Sequence, residues 1–210
     1  MKKIFMVLLA LLMFATPFMQ LGAMTAEAAS ETKATTQYKV TATNKPTIIV
    51  DKGFTAKQQK SYAEKAQKTM NMIPASVLKT IKGVTIYIVN DANDYYSKSD
   101  KVYAFYKTGS KKVYISASNL IQKNVLLHEL GHAFDYCNKS KSKASEFQSI
   151  FKVEKSSSSF QKVNYREYFA DAFASYVLGL TNSSFAKRFD KIPKTKAYIK
   201  KVTGMGDLKK

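Results

Sequence analysis

Lysine is spread so densely along this sequence that the stretches without it are the strongest constraint on the fold. The chain carries 34 Lys and Arg against 15 Asp and Glu, a net charge of +19. Every one of those cations except Arg166 and Arg188 is a lysine. No lysine occurs between Asn124 and Asn138, and neither Lys nor Arg occurs from Glu167 through Ala186. A water-facing helix surface in such a chain would carry ammonium groups, so both windows read as buried helices. In the first, Val125-Leu126-Leu127, Leu130-Gly131 and Ala133-Phe134 are apolar on nearly all sides, yet His128, Glu129 and His132 sit among them. They include both histidines of the chain. Burying two imidazoles and a carboxylate is costly unless something compensates them, and a metal ion would.

The spacing supports that reading. On a helix, His128 and His132 are four residues apart and project from the same face, so both can reach one tetrahedral zinc. Glu129 then flanks the open coordination position, where it can take a proton from zinc-bound water and later deliver it to a leaving amine. HELGH at 128 to 132 therefore supplies both ligation and acid-base chemistry.

A catalytic zinc needs a third protein ligand. A metzincin pattern would require Gly at 135 and His at 138, and the chain has Asp135 and Asn138, so that class is excluded. With no histidine left, the ligand is a carboxylate or Cys137, and Cys137 turns away from the histidine face. The pattern from Tyr165 to Leu180 offers a better candidate. Tyr165, Tyr168, Phe169, Ala172, Phe173, Tyr176, Val177 and Leu180 form an apolar arc, and Glu167 and Asp171 share the opposite side among small residues. Glu167 as ligand, with Asp171 one turn on accepting a hydrogen bond from a ligating imidazole, gives the outer support such sites use. Asp135 is a further candidate for that supporting role. Glu146 and Glu154 are weaker ligands, because their helix is punctuated by lysine and reads as solvated.

The rest of the chain supplies a frame. Lys2 and Lys3 precede an apolar run from Ile4 to Phe14 and then small residues, the pattern of a secretory signal peptide. The run is shorter than the about 18 to 20 residues of a membrane span, and Pro17 and Gln20 follow it. Ala26-Glu27-Ala28 places cleavage after Ala28 or one residue later, so residues 1–28 are the expected signal. Residues 29–45, poor in apolar side chains, are expected to be a flexible leader, and 46–210 one domain. A helix is expected over 56–72, stopped by Pro74, and a strand over 84–89. Asp91 and Asp94 read as an acidic turn after that strand. Strands at 102–106 and 113–116 form a hairpin. Helices are expected at 120–137, 143–154, 165–180, 183–189 and 194–202, with Ser156 to Ser159 a solvated loop. The expected class is α+β, a small twisted sheet with an edge hairpin followed by a mainly helical half. Cys137 is the single cysteine, so no disulfide forms within the chain.

Removing Lys2, Lys3 and Glu27 with the signal leaves a net charge of about +18. Since the cations are lysine rather than the arginine suited to bidentate phosphate and base contacts, no nucleic-acid partner is expected. Anionic wall polymers are the expected counter-charge for an exported chain, retaining it at the surface. No transmembrane anchor is expected in the mature form.

HELGHAFD at 128 to 135, SEFQSIFKVEKS at 145 to 156 and EYFADAFASY at 167 to 176, occurring in this order, resemble the catalytic domain of the anthrax lethal factor family. That family also holds small secreted Pro-Pro endopeptidases of Gram-positive bacteria. The resemblance implies a zincin-like fold and a secreted endopeptidase of the gluzincin type, with one Zn2+ per chain and an extended peptide or protein as substrate. It implies that Glu167 is the third ligand. The family also carries a tyrosine seven residues before that Glu, which stabilises the tetrahedral oxyanion, and here the position is Phe160. A phenyl ring donates no hydrogen bond, so Tyr165 or Tyr168 is the expected substitute. The alternative is a zinc-binding module of the same fold that is catalytically weak or silent and binds a cell-surface, wall or host partner.

Overall fold

The computed structural model describes residues 32–96 and 101–209; the expected signal peptide lies outside the described residues. Five strands form one mixed sheet: β1 (Tyr38–Val40), β2 (Thr47–Val50), β3 (Thr85–Val89), β4 (Ala104–Lys107) and β5 (Lys112–Ser116), in the order β1-β2-β3-β5-β4. β2, β3 and β5 run parallel, and the antiparallel β1 and β4 close the two edges. The helices are α1 (Ala56–Met70), α2 (Ala75–Thr80), α3 (Lys123–Cys137), α4 (Ser145–Glu154), α5 (Tyr165–Gly179), α6 (Ser183–Ala186) and α7 (Pro193–Thr203). The class is α+β: α1 and α2 connect the parallel strands β2 and β3, and beyond β5 the chain is helical.

Alternation along the strands sets the core. Ile48, Val50, Ile86, Ile88, Val113 and Ile115 are buried on the face toward the helices, one residue in two as a pleated strand requires. The other face carries Tyr87, Tyr114 and Phe105 in one cross-strand row. Their rings stack at 5.2 and 5.1 Å, and Tyr95 stacks on Tyr114 at 4.8 Å. The sheet is thus covered on one side by helices and on the other by a small aromatic cluster.

Local chemistry explains the element starts. Thr55 and Gln58 form a reciprocal capping box at α1, with Thr55 Oγ1 accepting from the Gln58 N–H at 3.2 Å and Gln58 Oε1 from the Thr55 N–H at 2.9 Å. Asn164 caps α5 by accepting from the Arg166 and Glu167 amides. Asp91 accepts from the Asn93 amide at the start of a single 3-10 turn, Ala92–Tyr95, so the acidic pair does form a turn.

Three expectations change. The leader reaches less far than residue 45, because Tyr38–Val40 pairs with β2 as an edge strand. Three residues of modest hydropathy form a strand there because a neighbour's hydrogen-bonding edge is available. The serine run is not wholly solvated: Ser158 is buried, with its Oγ accepting from the Phe160 amide. Glu154 is also buried rather than solvated, and its two carboxylate oxygens accept from the amides of Lys194 and Thr195 at 2.9 and 2.8 Å, at the start of α7. A helix N-terminus leaves such amides without partners, and a carboxylate satisfies two of them at once.

Candidate metal centre

α3 and α5 cross at Gly131. A β-carbon there would lie 3.0 Å from Ala170 Cα and 3.1 Å from the Ala170 carbonyl oxygen, so only glycine allows this approach. Phe134 and Phe173 stack at 5.5 Å below the crossing. Beside this contact α3 presents His132 and, about one turn earlier, His128, while α5 presents Asp171 and, about one turn earlier, Glu167. Both lysine-free windows are buried in each other for this reason, and α5 is buried over most of its length.

The three expected ligands meet. His128 Nε2 lies 3.1 Å from Glu167 Oε2, His132 Nε2 lies 3.4 Å from the same oxygen, and the two Nε2 atoms are 3.1 Å apart. Zinc bonds of about 2.0 to 2.1 Å in tetrahedral directions separate ligand atoms by roughly 3.3 to 3.4 Å. The observed triangle is within a few tenths of an ångström of that size. Two imidazole nitrogens and a carboxylate oxygen are also the donor types zinc takes. The residues present therefore fit this ion.

The supporting contacts are built in. Asp171 Oδ1 lies 2.7 Å from His128 Nδ1, and its Oδ2 accepts from the Gln161 amide at 2.7 Å. A carboxylate on Nδ1 makes that nitrogen the donor and leaves the Nε2 lone pair toward the centre. In the metal-free protein burial pulls the His128 imidazolium down, but Asp171 and Glu167 outweigh it and push it up to about 10. Hydrogen bonds from His128 and His132 hold the Glu167 carboxyl well below the usual carboxylate range. Glu129 behaves oppositely. Burial pushes its carboxyl up, against the pull of both imidazoles, and the Tyr106 backbone of β4 stands within its reach. Two carboxylates beside the same pair of histidines are thus driven apart, one toward a permanent anion and one toward an exchangeable proton.

A cleft of about 600 Å3 opens over these groups, bounded by β4 on one side and by Tyr136, Lys143 and Arg166 on others. A second cavity of about 440 Å3 shares Val102, Ala104, His128, Glu129 and Glu167 with it and continues to Gln161, Ser175 and Arg188. The two make one groove with the histidines at its centre.

Several expected roles do not survive the geometry. Asp135 turns away from the imidazoles to accept from both the Ser142 amide and its hydroxyl, each at 2.6 Å, which pins the turn after α3. Tyr168 is fully buried with its hydroxyl 3.1 Å from Thr195 Oγ1, so it faces the α7 side of α5. Its place in the apolar arc, opposite Glu167, already dictates this. Tyr165 packs on the core edge and borders neither cavity. Phe160 is 2% exposed, wedged among Tyr168, Phe189 and the Arg188 guanidinium. The tyrosines that do border the cleft are Tyr96, Tyr106 and Tyr136, of which Tyr106 has its hydroxyl buried near Cys137. Tyr106 and Tyr136 come from β4 and from the α3 terminus, and no spacing in the sequence links them.

No protein of curated function matches the chain. The family model described as anthrax toxin lethal factor, N- and C-terminal domain, matches residues 35–202, which include both helices of the centre and the sheet beneath them. The chain belongs to the anthrax toxin lethal factor family.

Proposed function

We propose that the chain is a secreted zinc-dependent endopeptidase with a zincin-like site. The observation that carries this reading is the triangle of His128, His132 and Glu167 donor atoms, with buried Glu129 beside it. His128, His132 and Glu167 would hold the metal, and Asp171 fixes the His128 tautomer through Nδ1. Bound zinc supplies Lewis acidity toward a peptide carbonyl and makes water a stronger acid. Glu129, its carboxyl raised by burial, accepts the proton of the attacking water and returns it to the leaving amide nitrogen. Its neighbour β4 is the free edge of the sheet along α3. An extended polypeptide can add to that edge as a further strand, its main chain held by β4 and its side chains alternating into the groove.

The lysine pair, apolar run and Ala26-Glu27-Ala28 at the start of the chain support export. No helix among the described residues is long and apolar enough to cross a membrane. The net charge of about +18 left after removal of the signal supports retention by anionic wall polymers. Chelation with a phenanthroline should abolish cleavage of a peptide library, and zinc should restore it. Glu129→Gln should keep stoichiometric zinc and lose turnover; a variant that still cleaves at the parent rate would sink the mechanism. Phe160 favours a second reading, a zinc-holding module without turnover, which measured hydrolysis by the purified protein eliminates.

A further inference from the structure

Arg188 is one of only two arginines, and its setting is unusual for a guanidinium. Its Nε donates to Ser159 Oγ at 3.0 Å, its Nη1 to Ser175 Oγ at 2.7 Å and its Nη2 to the Ser159 carbonyl at 3.4 Å. Its Cζ lies over the Phe160 ring, 4.7 Å from the centroid. All of these partners are neutral, and among the described residues no carboxylate comes within ion-pair distance of it. Asp171 is near enough to act on it through space, but both Asp171 oxygens are committed to His128 and to the Gln161 amide. Burial pulls the guanidinium below its ordinary value. It is therefore a half-buried charge, locked in orientation from three sides, with no carboxylate in ion-pair contact among the described residues.

The geometry also says where a counter-ion would come from. Arg188 lines the end of the 440 Å3 cavity that begins at His128, Glu129 and Glu167. A guanidinium has five N–H donors, and three are engaged by Ser159 and Ser175, leaving two on the Nη atoms. Two N–H groups of one planar fork match the two oxygens of a carboxylate. In a chain where every other cation but one is a lysine, a rigid fork at this place is a specific choice rather than part of the general charge.

We propose that Arg188 is a specificity-determining residue that binds a carboxylate of the substrate, on the Asp171 side of the reacting centre. This deepens the peptidase reading and rests on it. The carboxylate is an Asp or Glu side chain near the cleaved bond, or the C-terminal carboxylate of a short peptide. Phe160 acquires a role on this account, because its ring supports the guanidinium.

The test uses paired peptides that differ only by Glu against Gln at each position from three residues before to three after the cleaved bond. A parallel pair ends in a free carboxylate or an amide. Binding to the zinc-loaded Glu129→Gln protein is followed by fluorescence anisotropy, and kcat/KM is followed with the parent protein. One position, or the free C-terminus, should favour the carboxylate by roughly 10- to 100-fold. Which pair responds tells the side chain from the terminus. Within Arg188→Gln that ratio should fall to about one, within Arg188→Lys it should be partly kept, and Arg188→Glu should come to favour Lys at the same position. Because each ratio is taken within one protein, a loss of stability common to both peptides does not move it. Equal binding of every Glu and Gln pair by the Glu129→Gln protein overturns the proposal even if the parent cleaves well. Absence of cleavage with a carboxylate preference intact overturns the peptidase reading and leaves the Arg188 subsite standing.

Discussion

Replacing Gly131 by alanine puts a methyl group into the closest contact between α3 and α5. The new carbon would lie 3.0 and 3.1 Å from backbone atoms of Ala170 and 3.2 Å from Phe173 Cβ. Carbon contacts settle at about 3.5 to 4.0 Å, and backbone cannot yield by changing rotamer, so α5 must recede by roughly 0.5 to 1 Å. Glu167 and Asp171 flank Ala170 on that helix and move with it. Metal bonds tolerate deviations of about 0.2 Å, so the 3.1 to 3.4 Å triangle of donor atoms opens beyond what one ion can bridge without strain. Alanine is favoured in a helix interior by about 1 kcal/mol, whereas overpacking costs about 1 to 3 kcal/mol, so the metal-free protein should lose about 0 to 2 kcal/mol. Zinc affinity should fall roughly 10- to 100-fold, the size seen when the support of a ligand is disturbed. Denaturant unfolding in chelator measures the first quantity, and competition with a chromophoric chelator measures the second. A variant stabilised by the full propensity gain, with parental zinc affinity, would refute the idea that this glycine sets the ligand spacing.

Asp171→Asn keeps the shape but removes the carboxylate from His128 Nδ1, and zinc affinity should drop about 10- to 100-fold with little change in fold, read by the same competition. Glu154→Gln leaves one of two α7 amides without its anionic partner and should cost about 1 to 3 kcal/mol in denaturant unfolding while zinc binding stays at the parental value. In the metal-free protein the His128 imidazolium, pulled down by burial but pushed up further by Asp171 and Glu167, stands at about 10 instead of 6.5. Its contribution to stability is therefore complete below pH 6.5 and lost as pH rises through about 10. The difference in thermal midpoint between the parent and His128→Gln, measured in chelator, should shrink across that window; a constant difference would remove the imidazolium from the account.

The helices that carry the centre were legible because two independent signals coincide on them. Periodicity locates α3 and α5, and the absence of lysine tells which faces are buried, including the face of Glu167 and Asp171. The same logic failed for Glu154, because flanking lysines describe the average environment of α4 and not the one position that turns toward the α7 amides. Tyr168 follows Glu167 in sequence, but helical phase puts it on the other side of α5, where its hydroxyl meets Thr195 instead of supplying the donor that Phe160 lacks. β1 was missed because a strand of three residues has almost no periodicity of its own and exists by pairing with β2.

The amino-acid order alone points to His128, His132, Glu129 and the pair Glu167 with Asp171 as the candidate centre, since that choice follows from residue type and the 3.6-residue period. What the tertiary structure decided is which long-range neighbours complete the site. The crossing at Gly131 sets the donor atoms 3.1 to 3.4 Å apart, β4 stands over Glu129, and Arg188 comes from 17 residues beyond Asp171 to the end of the groove. Such contacts depend on how helices and sheet pack in three dimensions, and packing partners far apart in the chain leave no periodic trace in it.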